Sequence, residues 1–110
     1  MVLTHIVLIQ FKSDAKPEDV KRTCAAFIAL KDACLHPTSS TPYILSLKGG
    51  VDTSIAKLQD GITHGFTMEF ASAEDRDYYT ATDPSHQAFA KLAYPFLDKV
   101  LVVDFTDALF

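Results

Sequence analysis

The side chains best suited to chemistry in this sequence are its four histidines and an adjacent pair of tyrosines, Tyr78 and Tyr79. His86 stands in the run Asp83-Pro84-Ser85-His86-Gln87-Ala88-Phe89. Asp is a good N-cap and Pro a good first helical residue, so a helix is expected to start there with His86 in its first turn. The positive end of the helix dipole disfavours an imidazolium, and an imidazole kept neutral accepts a proton as a general base must. His86 also precedes Phe89 by one helical turn, which directs it to the apolar side. A plainer role competes, in which His86 caps its helix or fills the edge of the core. Tyr79 is the natural companion, with a hydroxyl suited to orienting a carbonyl or the imidazole, although ordinary aromatic packing is the commoner use of such a residue. Tyr78 must point to another face, and the pattern leaves open which of the two turns inward.

His64 leads the alternating row His64, Phe66, Met68, Phe70, and His5 lies in the row Leu3, His5, Val7, Ile9, Phe11. Both rows read as strand faces turned to a core. If the strands pair antiparallel, His5 and His64 fall toward opposite ends of the sheet and need not touch. For each, the competing role is a buried histidine satisfied by a backbone partner. His36, between prolines and small polar residues, reads as solvated. No histidine pair has the spacing of a helical zinc site, there is no glycine-rich phosphate loop, and no serine sits in an elbow motif. Neither metal nor cofactor is expected.

The elements that must position these residues are legible in outline. Residues 2–12 form a strand that is apolar on both faces. Pro17, followed by Glu18 and Asp19, opens a helix with a stripe of Val20, Cys24, Phe27 and Ile28, continuing to Cys34 or Leu35. Residues 36–42 end it in a loop. Tyr43–Leu47 is a second strand with Tyr43, Leu45 and Leu47 on one side, broken by Gly49-Gly50. A long connection follows, with room for one helical turn near Ile55–Leu58. The third strand spans His64–Phe70, Ser72 and Asp75 suit the start of a short helix, and Lys99–Phe105 is a last, almost continuously apolar strand. This order is βαββαβ, the ferredoxin-like α+β arrangement, with one four-stranded antiparallel sheet and the helices on a single face. Exposing the other face of the first and last strands would cost roughly 1.5–3 kcal/mol per large side chain, so a second copy of the chain, sheet against sheet, is expected to cover it.

With 110 residues and 48% hydrophobic content, one domain over residues 1–110 is expected. The net charge of −4 and the scattered Lys and Arg argue against nucleic acid. No apolar run approaches the ~20 residues of a membrane span. Cys24 and Cys34, in one expected helix and about 15 Å apart at helical rise, cannot pair, so they read as buried thiols of a cytoplasmic protein.

Three blocks, His5-Ile6-Val7-Leu8-Ile9-Gln10-Phe11-Lys12, Thr63-His64-Gly65-Phe66 and Pro84-Ser85-His86-Gln87-Ala88-Phe89, resemble the stress-responsive A/B barrel (Dabb) family in order and spacing, over nearly the whole chain from His5 to Phe105. The resemblance implies a homodimer in which two sheets close a barrel. By likeness to the family's plant polyketide cyclases it implies a catalytic His86 and Tyr79, with His5, His64 and Phe27 in the substrate pocket. An apolar cavity of Val7, Ile9, Phe27, Phe66, Phe89 and Phe96 would then bind a small apolar or polyketide-like molecule. The chain departs from those cyclases in a longer 36–42 loop, in one extra residue within Thr80-Ala81-Thr82-Asp83, and in Asp83 where His-Pro-x-His is common. The alternatives are a non-catalytic stress-response protein that binds an apolar ligand or acts through oligomerisation, and a monooxygenase, against which the lack of tryptophan counts.

Overall fold

The alternation of apolar residues at the amino terminus becomes strand β1 (Leu3–Phe11), in which every second residue is buried. The computed structural model describes all of residues 1–110. Pro17 opens helix α1 (Pro17–Ala33), with Glu18 and Asp19 in its first turn and Lys31 in its last, as the helix dipole favours. The buried stripe of α1 is Thr23, Phe27 and Leu30, continued by Cys34 at the cap. This rotates the expected stripe: Val20 and Cys24 flank it half-buried, while Ile28 and Leu35 are exposed. Thr23 belongs in the core because its hydroxyl donates to the Asp19 carbonyl at 2.8 Å, which removes the cost of burying it.

Strand β2 (Ile44–Val51) runs through Gly49-Gly50 instead of breaking there. Gly49 pairs with Phe66, and a Cβ at that position would lie 2.2 Å from the Phe66 ring, so the glycine admits an aromatic side chain and does not mark a turn. A bulge between Ile44 and Ser46 turns Tyr43, Ile44 and Leu47 inward and leaves Leu45 exposed, which corrects the expected Tyr43–Leu45–Leu47 row. The connection after Val51 holds no helical turn. It ends at Gly61, whose φ of +83° suits only glycine without strain, and leads into β3 (His64–Phe70).

Ser72 caps α2 (Ala73–Ala81) by accepting the Asp75 N–H at 3.1 Å. Asp83 caps α3 (Pro84–Ala93) by accepting the Ser85 N–H at 2.9 Å. A 3₁₀ turn, Tyr94–Phe96, delivers the chain to β4 (Leu97–Thr106), which starts two residues before the expected Lys99. The sheet is antiparallel throughout in the order β2-β3-β1-β4, the ferredoxin-like topology.

The helices cover one face. On the other, β1 offers Ile6 and Leu8, and β4 offers Leu101, Val103 and Phe105, all three exposed. The register sets Ile6 opposite Val103 and Leu8 opposite Leu101, so the apolar residues are contiguous. The β2–β3 half of this face is polar, with Ser46, Lys48, Thr67 and Glu69. No helix is long and apolar enough to cross a membrane. Both cysteines are free thiols, and Cys34 caps α1 instead of lying within it.

Candidate active-site cavity

Between α2, α3 and the β1–β4 half of the sheet lies a cavity of about 310 Å³, at the small end of ordinary ligand pockets. Eleven of its fourteen lining residues are hydrophobic, and the exceptions are His5, Thr80 and His86. The sheet contributes His5, Val7 and Ile9 from β1 and Val100 and Val102 from β4; Phe27 of α1, Tyr79 of α2 and His86 and Phe89 of α3 close it from the helical side.

His86 arrives through the Asp83 cap. The Asp83 carboxylate is 1% exposed and accepts the Tyr43 hydroxyl at 2.6 Å on one oxygen and the Ser85 N–H on the other. It therefore ties the start of α3 to the strand side of the core. His86 follows two residues after Pro84, and its ring lies over Tyr79 with centroids 4.1 Å apart. Burial lowers the His86 pKa below the ordinary 6.5; the Tyr79 carbonyl and the Asp83 carboxylate oppose this, and His5 adds to it. The imidazole is thereby held neutral and able to take a proton. Its Nδ1 is buried with no hydrogen-bond partner in the protein.

Tyr79 is the inward tyrosine, 2% exposed, whereas Tyr78 packs edge-on against Tyr43. Burial, with contributions from Cys34 and Asp83, raises the Tyr79 pKa, so the phenol stays protonated and acts as a hydrogen-bond donor. Cys34, fully buried beside Asp83, has its thiol pushed up to about 12, chiefly by burial, which leaves it unreactive.

His5 reaches the cavity from β1. Its cross-strand partner is Asp104, and Nδ1 meets Asp104 Oδ1 at 2.6 Å. The other carboxylate oxygen accepts from Arg76 of α2 at 2.8 Å, and Arg76 Nε donates to Asp77 at 2.7 Å. The His5 ring stands edge-on to Phe70 and Tyr79.

The cavity therefore gathers His86, Tyr79, His5, Val7, Ile9, Phe27 and Phe89. Three residues expected beside them lie elsewhere. His64 pairs with Ile9, toward the opposite end of the sheet from His5, which pairs with Met68. It lines a separate groove with Cys24, Ile28 and Gly49, and its Nδ1 lies 2.9 Å from the Thr63 hydroxyl. Burial lowers its pKa. Phe66 stacks behind Phe27 at 4.3 Å and supports the wall without facing the cavity. Phe96, in the 3₁₀ turn, faces a surface groove with Lys12 and Asp14. The sequence reading missed Thr80, Ala90, Ala93, Tyr94, Leu97, Val100 and Val102. The β4 valines were reachable in principle: antiparallel pairing of β4 with β1 puts Val100 and Val102 on the face of Ile9 and Val7. No three His, Cys, Asp or Glu side chains converge as a metal-holding group.

Comparison with known proteins agrees with this architecture. The stress-response A/B barrel domain-containing protein HS1 of Arabidopsis thaliana is 33% identical over 101 residues, covering 92% of this chain and 85% of HS1. The crystal structure of At3g17210 from Arabidopsis thaliana superposes with a TM-score of 0.83 at 30% identity, covering 98% of this chain and 97% of that one. A hydroxynitrile lyase from Passiflora edulis gives 0.82 at 24% identity, covering 99% and 96%. A dimeric ferredoxin-like protein of unknown function from Thermobifida fusca gives 0.74 at 20%, covering 96% and 91%. At these last two identities the likeness is one of fold. The sequence profile of the stress responsive A/B barrel domain matches residues 3–107, and the chain belongs to that family.

Proposed function

We propose that the cavity is the active site of a cofactor-independent enzyme that moves protons at carbon beside a carbonyl, closing rings in polyketide-like molecules. The observation that carries this is the convergence of His86, Tyr79 and His5 in a largely apolar pocket. The His86 imidazole takes the proton from the activated carbon. The electron pair moves onto the carbonyl oxygen, where the neutral Tyr79 hydroxyl donates to the developing charge. The carbanion then attacks a second carbonyl of the same molecule, forming the carbon–carbon bond, and His86 returns its proton to the new alkoxide. The apolar walls exclude water, which would quench the carbanion. A hydroxynitrile lyase shares the fold, so by fold analogy alone the scaffold can host an enzyme.

The protein works as a homodimer in this proposal, with the apolar strip of Ile6, Leu8, Leu101, Val103 and Phe105 as the shared surface. The dimeric Thermobifida protein of the same fold supports that assignment. Its two free thiols suit the reducing cytoplasm. The predominantly apolar lining also favours a second reading, a non-catalytic binder of a small apolar ligand in a stress response.

The test is turnover of a linear poly-β-ketone by the purified protein. His86→Ala is expected to lower kcat by about 10²–10⁴-fold while the dimer persists in sedimentation. Equal turnover by the variant overturns the assignment of the base. A ligand retained by the wild type with no conversion favours the binder.

A further inference from the structure

We propose that Arg76 is a positioning residue for the cavity, acting through Asp104 to hold His5 in a single tautomer with Nε2 turned to the ligand. This rests on the cavity being the working site, and it concerns residues outside it.

The chain of contacts spans three elements. His5 on β1 and Asp104 on β4 are directly paired across the strands, so their side chains share a face by register alone. Each oxygen of the Asp104 carboxylate has one partner, His5 Nδ1 at 2.6 Å and Arg76 at 2.8 Å. An ionised carboxylate only accepts, so His5 must carry its proton on Nδ1, and Nε2 is left bare in the neutral ring. Rotation of the carboxylate would break both bonds together, and this is the role of the guanidinium. Arg76 is itself braced by Asp77, on the Nε not used for Asp104. The His5 ring plane is fixed by Phe70 and Tyr79, both edge-on.

Exposure falls along the chain. The Arg76 and Asp104 side chains are 25% and 21% exposed, and His5 is 6% exposed. His5, Thr80 and Val102 line the cavity on one side and a surface groove containing Arg76 and Asp104 on the other. His5 is thus the wall between ligand space and solvent. Without Arg76, water reaches the free carboxylate oxygen, the carboxylate can turn, and the imidazole can flip.

The deciding experiment is imidazole ¹⁵N NMR of His5 in the wild type, Arg76→Gln and Asp104→Asn, with kcat and KM measured in parallel. In the wild type the neutral ring should show a protonated Nδ1 and a bare Nε2. Arg76→Gln should convert this to a mixture of tautomers. It should also lower kcat by about tenfold with KM changed less than about twofold, the pattern expected when a second partner stops orienting a working histidine. Asp104→Asn, which offers an N–H as well as a carbonyl, should shift the tautomer further. Unchanged His5 nitrogens in a folded Arg76→Gln protein overturn the proposal. A changed tautomer in a protein whose wild type turns over no carbonyl substrate upholds the positioning role and defeats the catalytic reading instead.

Discussion

His5 and His86 reach the same cavity, one from a strand and the other from the first turn of a helix, and a carboxylate stands behind each. The carboxylates are spent differently. Asp104 holds the His5 ring itself, at Nδ1. Asp83 holds the Tyr43 hydroxyl and the Ser85 N–H, and so fixes the helix that carries His86 without bonding its ring. One imidazole is oriented atom by atom, and the other is delivered by its backbone with its chemistry left to burial. Two histidines in one pocket are therefore unequal groups, and environments that differ in this way are what separate acid and base roles in a site.

The sharpest way to break this contrast is to remove each carboxylate. Asp83→Ala leaves a buried phenol without its acceptor and α3 without its cap, and should cost about 2–4 kcal/mol in urea denaturation. Asp104→Ala, at a site a fifth exposed, lets water take over and should cost about 1 kcal/mol. Equal losses would mean that the two carboxylates do the same job.

A smaller effect is expected from Tyr79→Phe. The ring keeps its tilted contact with His86, so stability should change by less than about 1 kcal/mol. Turnover should fall by about tenfold, the worth of one lost hydrogen bond to the developing oxyanion. If the loss instead followed stability, Tyr79 would be a packing residue and His86 would work alone.

The fold was legible because its signals are local. Strand alternation at Leu3–Phe11, Pro17 with two acids after it, and Asp83-Pro84 each specify their element within a few residues. His86 could be placed in its helix for the same reason, whereas the choice between Tyr78 and Tyr79 stayed open until the packing showed Tyr79 buried. What stayed hidden depends on partners distant in sequence. Gly49 looks like a break until Phe66 is seen lying over it. Thr23 was missed for a local reason instead: a hydroxyl that bonds the carbonyl one turn back, at Asp19, carries no apolar signal although it can be buried. His64 sits at the far end of the sheet from His5, as antiparallel pairing implies, and the register with β1 keeps it out of the cavity that the family resemblance assigned to it. Asp104 and Arg76, 28 residues apart, carry no motif at all.

The smallest expected effect is on pH dependence, and it separates His86 from a merely structural histidine. Burial lowers the pKa of His86 and of His64 below 6.5 in the folded protein, while the unfolded chain keeps the ordinary value. Below 6.5 the unfolded state therefore binds more protons than the native one, and stability falls as the pH falls. The contribution is fully present above 6.5 and is lost progressively as the pH drops toward the lowered folded values. The groups facing His86 are Asp83 and the Tyr79 carbonyl, which limit the shift, and His5, which enlarges it. Replacing either histidine by Asn should flatten the acid limb of denaturation midpoint against pH, His86 and His64 each removing a share. Turnover should behave differently. In His64→Asn it should keep the wild-type acid limb, with its midpoint below 6.5, because that histidine lies outside the cavity. A midpoint of turnover that moves with His64 would put that histidine in the working site, and a stability that rises on acidification would show that burial does not hold these imidazoles neutral.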